Sequence, residues 1–248
     1  MVIWNPWHGC RKVSPGCAHC YVYRRDESVG KDASVIAKTG NYNLPLRRRR
    51  DGAYKVTPED GRVWCCMTSD FFIDQADGWR QGCWDAMRER PELDFTIVTK
   101  RTGRIAQCLP PDWGEGWPNV TFCATCEDQV RADERIGQLL AAPAAHRQVI
   151  SEPMLGPLDL ASFLGRGKIE QVICGGESGP EARPCLDEWV LGLRAQCIAA
   201  DVAFTFKQTG ANYVKGGRTY HMERRLQMTQ ARKSGYSWRP GKGSMDAL

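Results

Sequence analysis

The feature that most constrains the fold is a series of six short strand-like runs, separated by helical or partly helical connections. The runs have four to six residues and contain many valine, isoleucine and phenylalanine side chains, which is typical of buried strands. They occupy residues 63–67, 95–98, 120–124, 147–150, 169–174 and 202–206. Strands that alternate with helices predict an α/β protein with a parallel sheet.

Polar or charged side chains follow each of these runs directly. One polar strand exit is ordinary, since loops are polar, but six in succession indicate a shared site at the edge where the carboxyl ends of parallel strands meet. The exits carry Ser69 and Asp70, Thr99 and Lys100, Cys126 and Glu127, Ser151 and Glu152, Glu177 and Ser178, and Lys207 and Gln208.

A cysteine loop near the N-terminus is the strongest chemical signal. Cys10, Cys17 and Cys20 lie within eleven residues. A closed structural zinc site needs four ligands, so three thiolates leave one coordination position open for chemistry. Thiolates bind iron–sulfur clusters as well as zinc. The alternative is a zinc site that His8 or His19 completes.

The other cysteines are expected to fill the core. The chain has twelve cysteines in 248 residues. Its length, the scattered spacing and the lack of a signal-like N-terminus argue against a disulfide framework. Free cysteine packs as a small hydrophobe, and we assign this role to Cys65, Cys66, Cys83, Cys108, Cys174, Cys185 and Cys197.

Charge and composition restrict location and partners. No apolar run is long enough to span a membrane, and no basic-then-apolar leader is present, so we expect a cytoplasmic protein without a membrane partner. The net charge of +5 is concentrated in Arg47–Arg50 and in a tail from Lys215 to Lys242. Each is either a solvated face or a contact for an anionic partner.

The predicted organisation is one domain over residues 1–210, which includes the cysteine loop at 8–21, and a basic C-terminal extension at 211–248. The extension is rich in glycine, lysine and arginine. We expect it to cap a barrel of these strands, to contact a partner or to be partly disordered.

The motifs resemble a known group of proteins from about residue 3 to 210. The three-cysteine loop, the aromatic residue after it and the strand–helix pattern resemble divergent radical S-adenosylmethionine enzymes. More closely, the chain resembles a phage-associated family of uncharacterised proteins with a three-Cys motif, through Trp4-Asn5-Pro6, Ser14-Pro15-Gly16-Cys17, Cys20-Tyr21, Thr99-Lys100-Arg101, Ser151-Glu152-Pro153-Met154-Leu155-Gly156-Pro157, Gly175-Gly176-Glu177-Ser178-Gly179 and Phe206-Lys207-Gln208.

The resemblance implies a partial (β/α)6 TIM-like barrel and a specific chemistry. Cys10, Cys17 and Cys20 would hold a [4Fe-4S] cluster whose free iron binds S-adenosylmethionine. An electron from an external donor would release a 5′-deoxyadenosyl radical that abstracts a hydrogen atom from the substrate. Six residues separate Cys10 from Cys17, whereas the commonest motif of these enzymes has three.

Charge and position at the strand exits then assign the cofactor contacts. Ser69 or Asp70 would bind the amino group of S-adenosylmethionine, because a hydroxyl or carboxylate suits an ammonium. Lys100 would bind its carboxylate. Ser151 or Glu152 would bind the ribose.

Two further exits receive roles in the same scheme. Gly175 and Gly176 would let the main chain approach the adenine or the sulfonium closely, and Glu177 would be a further polar contact or a proton-transfer group. Cys123 and Cys126 form a second CxxC on a strand, where they face opposite ways. Cys123 is expected in the core, and Cys126 is a candidate hydrogen donor or auxiliary ligand.

Three readings of function therefore remain open. The first is a radical enzyme that modifies or repairs a nucleic-acid base or nucleotide, a substrate class suggested by the basic segments and by the phage association. The second is a zinc-bearing nucleic-acid-binding protein without catalysis. The third is an adaptor to a separately encoded partner protein.

Overall fold

The computed structural model describes residues 1–244 and confirms the α/β class. The strands of the described chain are β1 (Val2–Trp4), β2 (Trp7–His8), β3 (Ala37–Lys38), β4 (Val63–Cys65), β5 (Phe95–Thr99), β6 (Val120–Thr125), β7 (His146–Ser151), β8 (Gln171–Gly175), β9 (Cys185–Leu186), β10 (Ala203–Gln208), β11 (Asn212–Lys215), β12 (Arg218–His221), β13 (Trp238–Arg239) and β14 (Gly243–Ser244). The six predicted strands correspond to β4, β5, β6, β7, β8 and β10. The helices are α1 (Tyr21–Glu27), α2 (Asp77–Glu89), α3 (Gln129–Ala141), α4 (Ala161–Leu164), α5 (Asp187–Ala199) and α6 (Arg224–Lys233).

The chain divides into two compact units. The first unit contains Met1–Val13, Val22–Ala124 and Ala141–His146, and the second contains Ser14–Tyr21, Thr125–Leu140 and the chain from Arg147 onwards. The cysteine loop therefore contributes Cys10 to the first unit, and Cys17 and Cys20 to the second.

The first unit is built on parallel strands in the order β1-β4-β5-β6. β4 pairs in parallel with β5, and Cys65 lies opposite Ile97. β1 is a strand that the apolar pattern did not predict. It pairs in parallel with β4 through Val2↔Val63 and Trp4↔Cys65.

Aromatic side chains form the core of the first unit. The rings of Phe71 and Trp84 are 4.8 Å apart between centroids at an interplanar angle of 66°, and Trp7 lies 5.4 Å from Phe71. All three side chains are essentially inaccessible to solvent. Edge-on contacts of this kind stabilise a core beyond the area that they bury, and they fix the segment after β4 against α2.

The second unit has parallel strands in the order β7-β8-β10, extended by antiparallel β13 and β14. α5 and α6 pack on β10. A small sheet in the order β12-β11-β9 completes this unit. Within each unit the described strands form an open row, so the parallel α/β architecture is established and the partial barrel stays a prediction.

The segment after residue 210 forms regular elements in the second unit. β11, β12, α6, β13 and β14 all lie in it, and β13 pairs with β10 through Phe204↔Trp238. Residues 245–248 of the predicted extension lie outside the described residues. In the part of the chain that the structure describes, every helix is too short or too polar to cross a membrane.

Candidate cysteine-loop site

The three loop cysteines differ from the other cysteines in their access to solvent. Cys10, Cys17 and Cys20 are half-buried, and Cys108 is the one cysteine outside the loop with comparable exposure among residues 1–244. Burial raises the pKa of the Cys65, Cys66 and Cys174 thiols well above the usual value. Burial likewise raises the pKa of the Cys185 and Cys197 thiols to about 12. Such thiols stay protonated and are poor ligands.

In the first unit, hydrogen bonds hold the main chain at Cys10 on both sides. Its N–H donates to the Ala33 carbonyl at 2.8 Å, and its carbonyl accepts a hydrogen bond from the Tyr23 hydroxyl. Gly9 has a φ of +90°, and a Cβ there would lie 2.2 Å from the Val35 carbonyl oxygen. Only glycine fits this position, so the approach to Cys10 is fixed by the chain itself.

Asp70 joins the exits of β4 and β5 in the first unit. Its buried carboxylate accepts hydrogen bonds from the Thr99 hydroxyl at 2.7 Å and from the Lys100 N–H at 2.9 Å. Arg101 pairs with it at 3.1 Å. The meeting of these two exits was predicted, but both Asp70 oxygens bind groups of the protein. The hydroxyl of Ser69 donates to the Gly9 carbonyl.

Arg101 connects this carboxylate to the cysteine loop. Its Nη1 lies 3.9 Å from the Cys10 Sγ, and its Nη2 donates to the Arg11 carbonyl at 2.9 Å. Partial burial acts to lower the pKa of Arg101, but the charges of Asp70 and Cys10 outweigh it and raise the pKa. Arg101 thus keeps its positive charge beside the first loop thiol.

In the second unit, a buried carboxylate binds the main chain next to Cys17. The Gly16 N–H donates to Glu127 Oε1 at 3.1 Å. Arg135 Nη1 lies 2.8 Å from Glu127 Oε2 and also donates to the Thr125 carbonyl at 2.7 Å. A Cβ on Gly16 would lie 2.9 Å from the Glu127 Cδ. The carboxylate and the loop can approach this closely because residue 16 has no side chain.

Glu177 binds the same segment from a second position. His19 Nδ1 lies 3.2 Å from Glu177 Oε2, while the Arg183 guanidinium contacts both carboxylate oxygens at 2.5 and 2.8 Å. Arg183 also donates to the Pro15 carbonyl at 3.1 Å. Burial acts to raise the pKa of Glu177, but hydrogen bonds from Arg183 and His19 outweigh it and lower the pKa.

Sequence reasoning missed both arginines of these carboxylate pairs and gave Glu127 no role beyond a polar strand exit. Arg135 lies within α3 and is 4% exposed, and Arg183 lies in the segment before β9. The signal in the sequence was that three of the predicted exits carry glutamate, at Glu127, Glu152 and Glu177. A buried carboxylate requires a cation or several donors.

The exits of β7, β8 and β10 carry the remaining predicted cofactor contacts. Lys207 Nζ lies 2.6 Å from Glu152 Oε2. The Ser151 hydroxyl is buried and has no hydrogen-bond partner among the described residues. A Cβ on Gly176 would lie 2.2 Å from the Thr209 carbonyl oxygen, and one on Gly175 would lie 3.0 Å from the Gln208 side chain. These glycines allow close approach of the segment that follows β10.

The second CxxC lies in the interior. Cys123 and Cys126 are both fully buried, and the Cys126 N–H donates to the Ile150 carbonyl at 2.8 Å. Burial of Cys123 confirms its predicted place in the core. The roles predicted for Cys126, as a hydrogen donor or an auxiliary ligand, stay predictions.

The histidines of the zinc alternative bind carboxylates. His8 Nε2 lies 2.5 Å from Asp26 Oδ2, and His19 binds Glu177. Within residues 1–244, no three side chains of the types His, Cys, Asp and Glu are grouped in a way that could hold a metal ion. The fit of a metal or cluster therefore rests on the donors themselves, three partly exposed thiols of the kind that soft metals and iron–sulfur clusters prefer.

Comparison with known proteins gives one family. No curated protein and no solved structure shows significant similarity to the chain. A family model matches residues 2–239, which include the cysteine loop and all six predicted strands. The chain therefore belongs to the family described as "Protein of unknown function (DUF5131)".

Proposed function

We propose that the chain is a radical S-adenosylmethionine enzyme in which Cys10, Cys17 and Cys20 hold a [4Fe-4S] cluster. The proposed substrate is a nucleic-acid base or nucleotide, and the proposed architecture is a partial (β/α)6 barrel. The likeness to the three-Cys-motif proteins supports this, as does the difference in exposure between the loop cysteines and the others.

One observation carries the proposal. The described chain contains twelve cysteines, yet partial exposure is concentrated in the short loop of three, while eight of the others are buried. In the second unit, the buried carboxylates of Glu127 and Glu177 bind the segment that contains Cys17 and Cys20. Around metal centres, residues that do not touch the metal usually hold the ligands in position by hydrogen bonds.

The cluster together with S-adenosylmethionine would supply one-electron chemistry, with the electron delivered by an external donor. The chain's own residues would bind and orient the cofactor. Lys100 offers a cation for its carboxylate. The Ser151 hydroxyl is buried and has no hydrogen-bond partner within residues 1–244. A ribose hydroxyl could satisfy it, since orphaned buried hydroxyls are costly.

The structure suggests narrower roles for three of the predicted contacts. Asp70 and Glu177 bind arginines that also hold the cysteine loop, so we propose that they orient the loop instead of binding the cofactor directly. The Ser69 hydroxyl is already donated to Gly9. Glu152, Gly175 and Gly176 keep their proposed places around the ribose and adenine, and Cys126 keeps that of a hydrogen donor to the substrate.

The test is anaerobic purification and reconstitution with ferrous iron and sulfide. We expect visible iron–sulfur absorbance and release of 5′-deoxyadenosine from S-adenosylmethionine after reduction. Cys17→Ser should abolish both. Cys108→Ser is the matched control, because Cys108 is also partly exposed but lies outside the loop, and it should change neither. A colourless protein with one tightly bound zinc ion would overturn the proposal.

That zinc outcome would favour the second candidate, a nucleic-acid-binding or adaptor protein without catalysis. The observation that favours it is the exposed basic surface after residue 210, which requires no cofactor. For either candidate we propose a cytoplasmic location, where thiols stay reduced.

A further inference from the structure

The net positive charge of the chain resides in its C-terminal segment. Residues 211–248 contain eight of the 34 lysines and arginines but two of the 29 aspartates and glutamates. The remaining 210 residues therefore carry 26 basic and 27 acidic side chains and are nearly neutral. A net charge of this kind acts on partners and not on the fold.

All the cations of this segment are exposed, although Arg224 Nη1 also donates to Gln208 Oε1 at 2.6 Å and Lys215 Nζ donates to the Tyr236 hydroxyl at 2.8 Å. We use the name basic segment for residues 211–244. The side chains concerned are exposed in every case: Lys215, Arg218, Arg224, Arg225, Arg232, Lys233, Arg239 and Lys242. They are carried by β11, β12, α6 and the β13–β14 hairpin, so a folded surface presents them.

Few of these cations are neutralised by the protein. Within residues 1–244, Arg225 pairs with Glu223 at 2.7 Å and Lys215 lies 3.8 Å from Asp187, while the other six form no ion pair with a carboxylate. Arg88, by contrast, is an exposed arginine of the first unit that binds two carboxylates, those of Asp85 and Asp112. The basic segment thus leaves its charge available to a partner.

The β11–β12 hairpin places two of the cations together. Gly216 and Gly217 both have positive φ, as a tight hairpin turn requires. Lys215 and Arg218 lie directly opposite each other on either side of this turn. Like charges in this position destabilise a hairpin, and an anion bound from outside would relieve the repulsion.

An exposed aromatic ring accompanies these charges. Tyr220 is two residues after Arg218 on β12, so their side chains share a face, and the Arg218 guanidinium lies 5.1 Å from the centre of the Tyr220 ring. Tyr220 is 37% exposed. Cations that follow a phosphate chain, with aromatic rings that stack on bases, are the usual means of binding single-stranded nucleic acid.

A lipid surface fits the segment less well. A helix that lies on a membrane needs a continuous apolar face. In α6 the large apolar side chain that is exposed is Met228, and its neighbours Arg224, Arg225, Arg232 and Lys233 are charged. The chemistry of the surface therefore favours an aqueous polyanion.

We propose that the basic segment binds the phosphodiester backbone of a nucleic acid, with Tyr220 stacked on a base. The inference rests on the proposed function, since the bound nucleic acid would be the substrate of that reaction. The binding itself depends on residues outside the cysteine loop and can be measured without catalysis.

The experiment is fluorescence anisotropy of the full chain with a labelled single-stranded DNA, the matching duplex and the single-stranded RNA of the same sequence, over a range of salt concentrations. The triple variant Arg218→Gln, Arg232→Gln, Lys233→Gln should bind at least tenfold more weakly at low salt. The magnitude of its slope of log affinity against log salt concentration should decrease by about two to three, because each lost phosphate contact removes about 0.7 to 0.9.

The matched control is Arg49→Gln, Arg50→Gln, Lys55→Gln, which removes three exposed cations from the first unit. It should retain the affinity and the salt slope. Tyr220→Ala should weaken binding to the single strands more than to the duplex. Equal losses in the two triple variants would overturn the inference, as would binding to vesicles containing phosphatidylserine without binding to any nucleic acid.

Two further measurements separate this inference from the proposed function. The tail triple variant should still take up iron and sulfide, and Cys17→Ser should still bind nucleic acid. If Cys17→Ser binds nucleic acid but the wild-type chain never holds a cluster, the proposed chemistry fails and the binding surface stands. If the wild-type chain holds a cluster but binds no nucleic acid, the surface fails and the chemistry stands.

Discussion

Gly16 shows how a single missing side chain determines the geometry of the cysteine loop. Its N–H donates to the fully buried carboxylate of Glu127. A Cβ at position 16 would lie only 2.9 Å from the Glu127 Cδ, so the approach requires a residue without a side chain. The hydrogen bond and the close contact have the same origin. Because Cys17 follows directly, the orientation of its main chain depends on this contact.

We predict that Gly16→Ala lowers the free energy of unfolding by about 1–3 kcal/mol, the usual cost of forcing a methyl group into a packed site. The measurement is urea denaturation. The control is Gly40→Ala, where a Cβ would meet nothing within 4 Å, and it should stay within about 0.5 kcal/mol of the wild type. Equal effects of the two substitutions would contradict the packing argument.

Glu177 gives a prediction that depends on pH. Its pKa is lowered from the ordinary 4.5, so its ion pair contributes stability above that value, and the contribution is lost as the pH falls through the lowered pKa. Glu177→Gln should cost about 1–3 kcal/mol at pH 7, in keeping with the loss of charged hydrogen bonds.

The difference between the wild type and Glu177→Gln should then shrink towards zero as the carboxyl group of the wild type becomes protonated. Urea denaturation at a series of pH values below 4.5 checks this. A difference that is the same at every pH would show that the carboxylate's charge is not what binds Arg183.

At the scale of elements, the exit of β5 holds the first part of the loop. Arg101 follows β5 and donates to the Arg11 carbonyl. We predict that Arg101→Gln speeds hydrogen exchange of the Cys10 amide, which donates to the Ala33 carbonyl, several-fold in the protein without metal, because local opening then has fewer bonds to break. Exchange within α3 provides the internal control and should be unaffected, and unchanged protection of the Cys10 amide would refute the role of Arg101.

The six strands could be predicted because each has its own apolar pattern in the sequence. The elements that were missed have no such pattern and depend on the partners against which they pair or pack. A run of four to six residues rich in valine, isoleucine and phenylalanine identifies a buried strand without knowledge of its neighbours. β1 has three residues, with Ile3 exposed, and becomes a strand because β4 pairs with it. α6 has no apolar stripe that would identify it, as its buried positions are Gln227 and Ala231.

The contacts within the cysteine-loop site were even harder to predict from the sequence than these elements. The cysteines and the glutamates at the strand exits were visible in the sequence. Gly16 and Glu127, however, are 111 residues apart, and His19 and Glu177 are 158 apart. Which carboxylate binds which loop residue depends on the packing of the second unit, for which spacing gives no rule.

At the scale of the molecule, the segment after residue 210 completes the second unit. β13 covers the edge of β10 and α6 packs on the same strand. We therefore predict that a chain ending at Gly210 melts at least 10 °C lower than the full chain or aggregates, since it exposes a strand edge and apolar surface.

Met228→Ala serves as the reference for that truncation, because this side chain is 49% exposed and its removal should leave the melting temperature within about 2 °C. A truncated chain with unaltered melting would show that residues 1–210 form an independent domain, as the sequence alone suggested.

The uneven burial of the cysteines also sets an order of oxidation. Thiols that are buried and protonated react slowly with peroxide or oxygen, whereas a partly exposed thiol beside a guanidinium reacts early. Oxidative damage would therefore fall first on Cys10, Cys17, Cys20 and Cys108, which are partly exposed, while the eight buried cysteines remain reduced. Air would modify the partly exposed cysteines of such a protein long before it harmed the fold.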